Sequence, residues 1–446
     1  MKVLKFGGTS VGSADRMRDV VSLVSKRGKN IVVLSAMSGT TNSLIDIASS
    51  LSERDGMAVA KTKALKGRYD EVTAALYDTE EYRQAAGQTI DSIFASLMKT
   101  VTADPSPRSE KEIVATGELL STNMVHLKML ESGVRSVLLP ALDFMRKDER
   151  GEPDMAYIEN RLGDMIAANP DAEVYITQGF ICRDSYGQTD NLERGGSDYT
   201  ASLVGVAAHA EEVEIWTDID GMHNNDPRYV EGTEPVHNLH FEEAAELAYF
   251  GAKILHPTCI LPARKANIPV RLLNTMDPSA EGTLIDCNLR GNDIKAVAAK
   301  DGITAIKIKS SRMLLAYGFL KKVFEVFERH RTPIDMITTS EVGVSVTVDN
   351  DSELDAIVEE LGCLGTVSVD PDMVIICVVG DLDWRNRGFE AAVLDALRDI
   401  PVRMISYGGS NYNISFLVRK EDKIHALREL SNTLFVKKKR NENSYQ

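Results

Sequence analysis

Short apolar runs alternate with longer helical segments through roughly the first 290 residues, and no other feature narrows the fold so far. Ile31-Val32-Val33-Leu34, Ser136-Val137-Leu138-Leu139, Val174-Tyr175-Ile176-Thr177 and Val213-Glu214-Ile215-Trp216 read as buried strands. Between them, Arg16–Lys26, Ile113–Glu131 and Ser197–Ala210 carry helical spacing. Such alternation makes an α/β domain around a mainly parallel sheet. Ligands of these sheets bind at the carboxyl ends of the strands. Residues 53–110 read as a helical insertion that ends in the loop Asp104-Pro105-Ser106-Pro107.

The first strand end carries Lys5-Phe6-Gly7-Gly8-Thr9-Ser10-Val11. Paired glycines let the backbone turn sharply and approach an anion, and exposed N–H groups can then donate to phosphate oxygens. A helix starting just after would add its positive end. Gly7 and Gly12 have the GxxxxG spacing of a P-loop, but Ser13 stands where that loop needs lysine, so this is a different device. Its lysine precedes the glycines.

Composition excludes several classes. The 446 residues allow two to four domains. A net charge of −15 opposes nucleic-acid binding, and an acidic protein that holds an anionic ligand must gather its cations locally. The five cysteines lack CxxC spacing, which fits a reducing cytoplasm without structural disulfides. No apolar run approaches the roughly 18 residues of a membrane span, and the start of the chain has no signal-peptide pattern. The eight histidines include His237-Asn238-Leu239-His240, which is not a standard zinc spacing, and no GxSxG elbow is present.

Four further segments fall at expected strand ends. Ser35-Ala36-Met37-Ser38-Gly39-Thr40-Thr41-Asn42 reads either as a polar substrate loop or as a turn with a helix N-cap. Thr116-Gly117-Glu118 opens a helical run, where Glu118 is either a dipole partner or a receptor for a substrate ammonium. In Arg194-Gly195-Gly196-Ser197-Asp198, the arginine fork suits a carboxylate or phosphate, and Ser197 would cap a helix from Asp198. Thr217-Asp218, Asp226-Pro227-Arg228 and Gly251-Ala252-Lys253 add an acid and two cations, or are solvated loop charges.

After the polar boundary Asn288–Asp293 comes a repeat. Gly318-Phe319, Ile334–Ile337 and Val344–Val348 are echoed about 70 residues later by Gly388-Phe389, Val402–Ile405 and Ile414–Val418, a period too long for a solenoid. Helices ending near Leu361 and Leu430 follow each. The first repeat closes with a strand near Thr366–Val369, while the second has only a polar tail. Ile294–Ala299 is therefore expected to supply the missing strand.

The ordered set of Lys5–Val11, Glu118, Arg194–Asp198, Thr217-Asp218 with Asp226-Pro227-Arg228, and Gly251–Lys253 resembles the aspartate kinases of the amino-acid-kinase family. The repeats, with Ile337-Thr338-Thr339-Ser340-Glu341, resemble tandem ACT domains. The resemblance covers nearly the whole chain. It implies a three-layer α/β/α kinase domain with a mainly parallel sheet over residues 1–290. Two ferredoxin-like βαββαβ ACT domains would follow at 303–372 and 373–440, the second completed by 294–299. It implies transfer of the γ-phosphate of MgATP to the β-carboxylate of L-aspartate, giving 4-phospho-L-aspartate, in the cytoplasm, as a homodimer or dimer of dimers.

Roles follow by resemblance. Lys5, with the Gly7 and Gly8 backbone, would clamp the phosphates, and Asp198 would steady Lys5. Ser35, Thr41, Glu118, Arg194 and Ser197 match aspartate-binding positions. Thr217, Asp218, His223, Arg228 and Lys253 match nucleotide-binding ones. Met313, Phe319, Leu320, Asp335 and Ser340 match an effector pocket for lysine or, alternatively, threonine. No protein ligand is assigned to Mg²⁺. Three residues depart from the family pattern: Glu193 replaces the usual glycine, His223 replaces a stacking tyrosine, and Leu315 replaces a histidine of some lysine-sensitive members. The competing readings are a kinase for glutamate or N-acetylglutamate, whose relatives generally lack the ACT repeats, and a catalytically silent sensor, which would have lost its phosphate-clamping residues. The chain is also too short for a homoserine dehydrogenase fusion.

Overall fold

Strand β1 (Lys2–Phe6) lies parallel between β2 (Asn30–Leu34) and the strand Val213–Thr217. Beyond β2 come β4 (Val174–Gln178) and β3 (Ser136–Leu138), again parallel. Beyond Val213–Thr217 lies the parallel strand Val270–Asn274, edged by antiparallel Thr283–Asp286. The central strands are buried on both faces, and in β2 this leaves the unbroken apolar run Ile31–Leu34. The computed structural model describes residues 1–192, 195–251, 255, 257–291, 293–313 and 317–436. They divide into two units, Met1–Met222 with Leu255–Asn288, and His223–Ile254 with Leu289–Gln446. A change of unit does fall at Asn288, but His223–Ile254 groups with the later residues, which no composition shift announces.

In the first unit, α1 (Ala14–Ser25) is capped by Ser13, whose hydroxyl accepts from the Arg16 N–H. Its buried stripe, Met17, Val20, Val21 and Val24, packs with Leu4, Phe6, Val32 and Leu34 in one core. Each such side chain contributes about 1.5–3 kcal/mol when fully buried. Helices α2 (Thr40–Glu53), α3 (Ala58–Leu76), α4 (Glu80–Thr102) and α5 (Ser109–Glu131) join the same core, with Tyr69 edge-on to Phe94 at 5.8 Å. The expected helical insertion is thus α3 and α4, followed by the proline loop.

Two local expectations are corrected. α5 begins at Ser109, so Thr116-Gly117-Glu118 sits inside the helix rather than opening it. The helix Gly196–Ala207 starts after Gly195, which takes φ 74°; Ser197 lies within its first turn and is not the cap.

The second unit holds a six-stranded antiparallel sheet built on two long strands, Ile294–Lys309 and Thr366–Gly380. Ile303–Lys309 pairs on its other side with Gly343–Val348 and, through it, Ile337–Ser340. Met373–Val379 pairs with Asn413–Arg419 and then Met404–Ser406. Ile294–Ala299 runs antiparallel to Ile376–Gly380. Each repeat has its own core, one around Phe319, Val323 and Val346, the other around Val378, Phe416 and Leu427. Among the described residues no helix is long and apolar enough to cross a membrane, and all five cysteines are free thiols.

Candidate active site

Parallel neighbours end on the same side of a sheet. The carboxyl ends of β1, β2, β4 and Val213–Thr217 therefore deliver Gly7-Gly8, Ser35, Gly179 and Asp218 to one edge.

At the first of these ends, the Lys5 ammonium lies 2.6 Å from Asp198 Oδ1, with side-chain exposures of 11% and 15%. Charges this enclosed persist only when paired. The same ammonium is 3.7 Å from where a Cβ on Gly7 would stand, so it hangs over the turn. The Gly7 N–H is already given to the Trp216 carbonyl at 3.2 Å. Among the described residues the Gly8 and Thr9 amides have no partner, so they, not Gly7, are the free donors of this turn. A side chain at Gly8 would meet the Ala36 carbonyl at 2.8 Å, which fixes glycine there.

The Ser35 loop is held from the glycine turn and from α5. Ser38 N–H donates to the Gly8 carbonyl at 3.0 Å, and Ser121 Oγ donates to the Ser35 carbonyl at 2.8 Å. Gly117 admits the loop: a Cβ there would lie 2.7 Å from that of Ala36. One turn-step on, Glu118 is 4% exposed and accepts from the Ala36 N–H at 3.1 Å through Oε1. Its Oε2 is buried without a hydrogen-bond partner. Burial pushes this carboxyl up to about 7, against the pull of the Ala36 amide. A buried acid with one empty oxygen can receive a cation.

Ser197 lies beside Asp198, and a Cβ on Gly179 would fall 2.4 Å from Ser197 Oγ. Phe180 next to it takes φ 68°, a strained conformation for so bulky a residue. Gly179-Phe180 escaped the sequence reading, although its position just past β4 was a usable signal. Thr217 donates to Asp218 at 3.1 Å, and the Thr217 carbonyl accepts from Thr275, whose hydroxyl meets Ser10 at 2.7 Å. Thr41, half-buried, is the second residue of α2. Lys5, Gly7, Gly8, Ser35, Thr41, Glu118, Ser197, Asp198, Thr217 and Asp218 thus share the first unit. Arg194 and Lys253, with Glu193 and Leu315, lie outside the described residues.

His223 and Arg228 belong to the second unit. His223 Nδ1 is 3.0 Å from Thr233 Oγ1. Arg228 forks onto the Asp226 carboxylate at 2.9 and 2.6 Å, so its guanidinium is engaged there. In the same unit the Asp335 side chain is buried, and its Oδ1 accepts from Lys300 at 2.7 Å and from the Tyr249 hydroxyl at 2.6 Å. Its Oδ2 has no hydrogen-bond partner. The Asp335 contact helps push the Tyr249 phenol up to about 12, after burial. Phe319 is a core residue at 8% exposure, Met313 is partly buried against that core, Leu320 is 37% exposed, and Ser340 Oγ faces the Gly343 carbonyl at 3.4 Å.

Residues 1–274 match the amino acid kinase family, and residues 376–434 match the ACT domain. The chain is 34% identical to lysine-sensitive aspartokinase 3 of Escherichia coli K12, over 97% of this chain and 99% of that one. It is 33% identical to chloroplastic aspartokinase 1 of Arabidopsis thaliana, over 97% and 80%. Among solved structures it is similar to E. coli aspartokinase III in complex with aspartate and ADP (R-state), with TM-score 0.82, 34% identity, and 98% and 100% of the two chains covered. The same enzyme in complex with lysine and aspartate (T-state) matches with TM-score 0.81 and 35% identity, over 98% and 99%.

Proposed function

The chain belongs to the amino acid kinase family, and within it to the aspartokinases, and we propose how its residues divide the work of moving the γ-phosphoryl group of MgATP to the β-carboxylate of L-aspartate. The observation that carries the assignment is the Lys5–Asp198 pair, held over a glycine turn on the same strand-end edge as Glu118. An oxygen of the β-carboxylate attacks the γ-phosphorus, the bond to the bridging oxygen breaks, and ADP leaves with that electron pair. The acyl phosphate 4-phospho-L-aspartate is the product. The attacking carboxylate has an ordinary pKa near 3.9 and is already ionised at pH 7, so no general base is required.

What the reaction requires is the approach of two anions and the stabilisation of charge on the moving group. Lys5 and the amides of Gly8 and Thr9 supply positive potential at that group, and Asp198 keeps Lys5 aimed. Glu118 receives the substrate ammonium in its empty Oε2 position, Arg194 receives a carboxylate, and Ser35, Thr41 and Ser197 hydrogen-bond the rest. Thr217, Asp218, His223, Arg228 and Lys253 serve the nucleotide, with Arg228 released from Asp226 to do so. Mg²⁺ is assigned to phosphate oxygens and water, with no protein ligand. The ion would neutralise phosphate charge.

Residues 1–290 are assigned to catalysis and the repeats 303–372 and 373–440, with 294–299, to effector sensing. Lysine is the assigned inhibitor, its ammonium going to Asp335 in competition with Lys300; threonine is the alternative. Pairing with a second copy through the repeats, as a homodimer or a dimer of dimers, is assigned, and the enzyme is assigned to the cytoplasm. Hydroxylamine in the reaction mixture tests the chemistry. Aspartyl hydroxamate formed only with both ATP and L-aspartate is the expected result; ADP without hydroxamate contradicts an acyl phosphate.

A further inference from the structure

We propose that Arg68 and Tyr69, on the helical insertion, position the Ser35–Thr41 loop for aspartate. The inference rests on the reading that this loop binds the substrate. Arg68 donates from a terminal guanidinium nitrogen to the Ser38 carbonyl at 2.7 Å. Its other terminal nitrogen lies 3.2 Å from where a Cβ on Gly39 would stand, so the side chain covers the Gly39 backbone, which takes φ 80°. Tyr69, fully buried, places its hydroxyl 2.9 Å from Thr40 Oγ1. Neighbouring positions on one helix thus grip three consecutive loop residues, Ser38, Gly39 and Thr40.

The loop needs that grip. α2 begins at Thr40 with Gly39 as its N-cap, and no side chain caps it. A glycine N-cap leaves the first turn without the side-chain acceptor that Ser, Thr, Asp or Asn would supply. The phosphate turn and α5 fix Ser35, Ala36 and Ser38, but neither makes a hydrogen bond to Thr40 or lies over Gly39. Thr41, assigned to aspartate, is the next residue. Arg68 also sets a cation at a helix N-terminus, the end where the dipole disfavours one. Simple stabilisation of α2 would have used an acid there. The Arg68 guanidinium donates there to a neutral carbonyl rather than to a carboxylate, so its charge adds positive potential beside the loop.

Small displacements of substrate-positioning groups cost rate out of proportion to their size. Steady-state kinetics on purified wild type, Arg68→Ala, Arg68→Lys and Tyr69→Phe, with melting temperatures, tests the inference. Arg68→Ala is expected to raise the aspartate KM about ten-fold or more while the ATP KM stays within about two-fold. Arg68→Lys recovers most of the loss, because an ammonium can still donate to the Ser38 carbonyl. Tyr69→Phe, which keeps the packing and removes only the hydroxyl, raises the aspartate KM about three-fold or more. Variants that melt earlier yet keep the wild-type aspartate KM overturn the inference and leave the catalytic reading standing. Wild type without aspartate-dependent ADP release overturns the substrate reading and the inference together.

Discussion

The Lys5 ammonium stands 2.6 Å from the Asp198 carboxylate, joining the end of the first strand to the first turn of the helix Gly196–Ala207. The pair explains a lysine placed ahead of its glycines. A strand end is rigid, and Asp198 limits where the long side chain can point. Lys5→Ala is expected to lower kcat by about 10²–10³, the usual loss for one transition-state stabiliser. Asp198→Asn keeps the shape but not the charge, and should cost less. Steady-state kinetics on folded protein checks both; near-normal kcat in Lys5→Ala removes Lys5 from the chemistry.

Glu118, proposed to hold the substrate ammonium, should make aspartate binding depend on pH. Its folded-state pKa of about 7 exceeds the ordinary carboxyl value because the group is buried. Only the ionised form attracts the substrate ammonium. The aspartate KM should therefore fall as pH rises from about 6 to 8, and Glu118→Gln should raise the KM and flatten the profile. A wild-type KM that is constant across this range contradicts the role.

The same shift acts on stability with the opposite sense. A carboxyl whose pKa is raised on folding binds more protons folded than unfolded between about 4.5 and 7, so its contribution to stability declines as pH rises through that window. Glu118→Gln should thus be more stable than wild type at pH 8 without ligands, by up to about 3 kcal/mol. Chemical denaturation at pH 5 and pH 8 measures it; an equal difference at the two pH values argues against the shift.

The strands were legible in the sequence because a sheet buried on both faces leaves unbroken apolar runs such as Ile31–Leu34. Ion pairs between distant residues leave no such trace, so Lys5–Asp198 came only from resemblance to a family. The start of α5 was missed because its first turn, Ser109-Glu110-Lys111-Glu112, is polar and hides the apolar period until Ile113. Ser197 looked like a cap because serine usually is one, but Gly195 can adopt the positive φ that ends the loop. Arg68 and Tyr69 were invisible because a residue that braces a loop from another helix looks like any other helical residue.

Gly117 sets how closely α5 approaches the Ser35–Thr41 loop. Gly117→Ala would bring two methyl carbons to 2.7 Å, and the loop must move or the core must strain. Overpacking of this kind costs about 1–3 kcal/mol. The expected outcome is a lower melting temperature together with a raised aspartate KM. A destabilised variant with an unchanged KM shows that the loop does not feel α5.

Asp335 is the receptor proposed for the effector. Asp335→Asn should raise the lysine concentration for half-inhibition about ten-fold or more, the loss expected when a charged hydrogen bond becomes neutral. Lys300→Met should lower that concentration, because it removes the internal ammonium that already occupies Oδ1. Initial rates across a lysine series, repeated with threonine, check both. Inhibition of Asp335→Asn equal to that of wild type displaces the effector from this pocket.

The most direct test is a coupled ADP-release assay with L-aspartate, L-glutamate and N-acetyl-L-glutamate as acceptors under saturating MgATP. The account predicts robust turnover with L-aspartate and little with either longer acceptor. Turnover on glutamate or N-acetylglutamate at or above the aspartate rate, or none on aspartate, contradicts it.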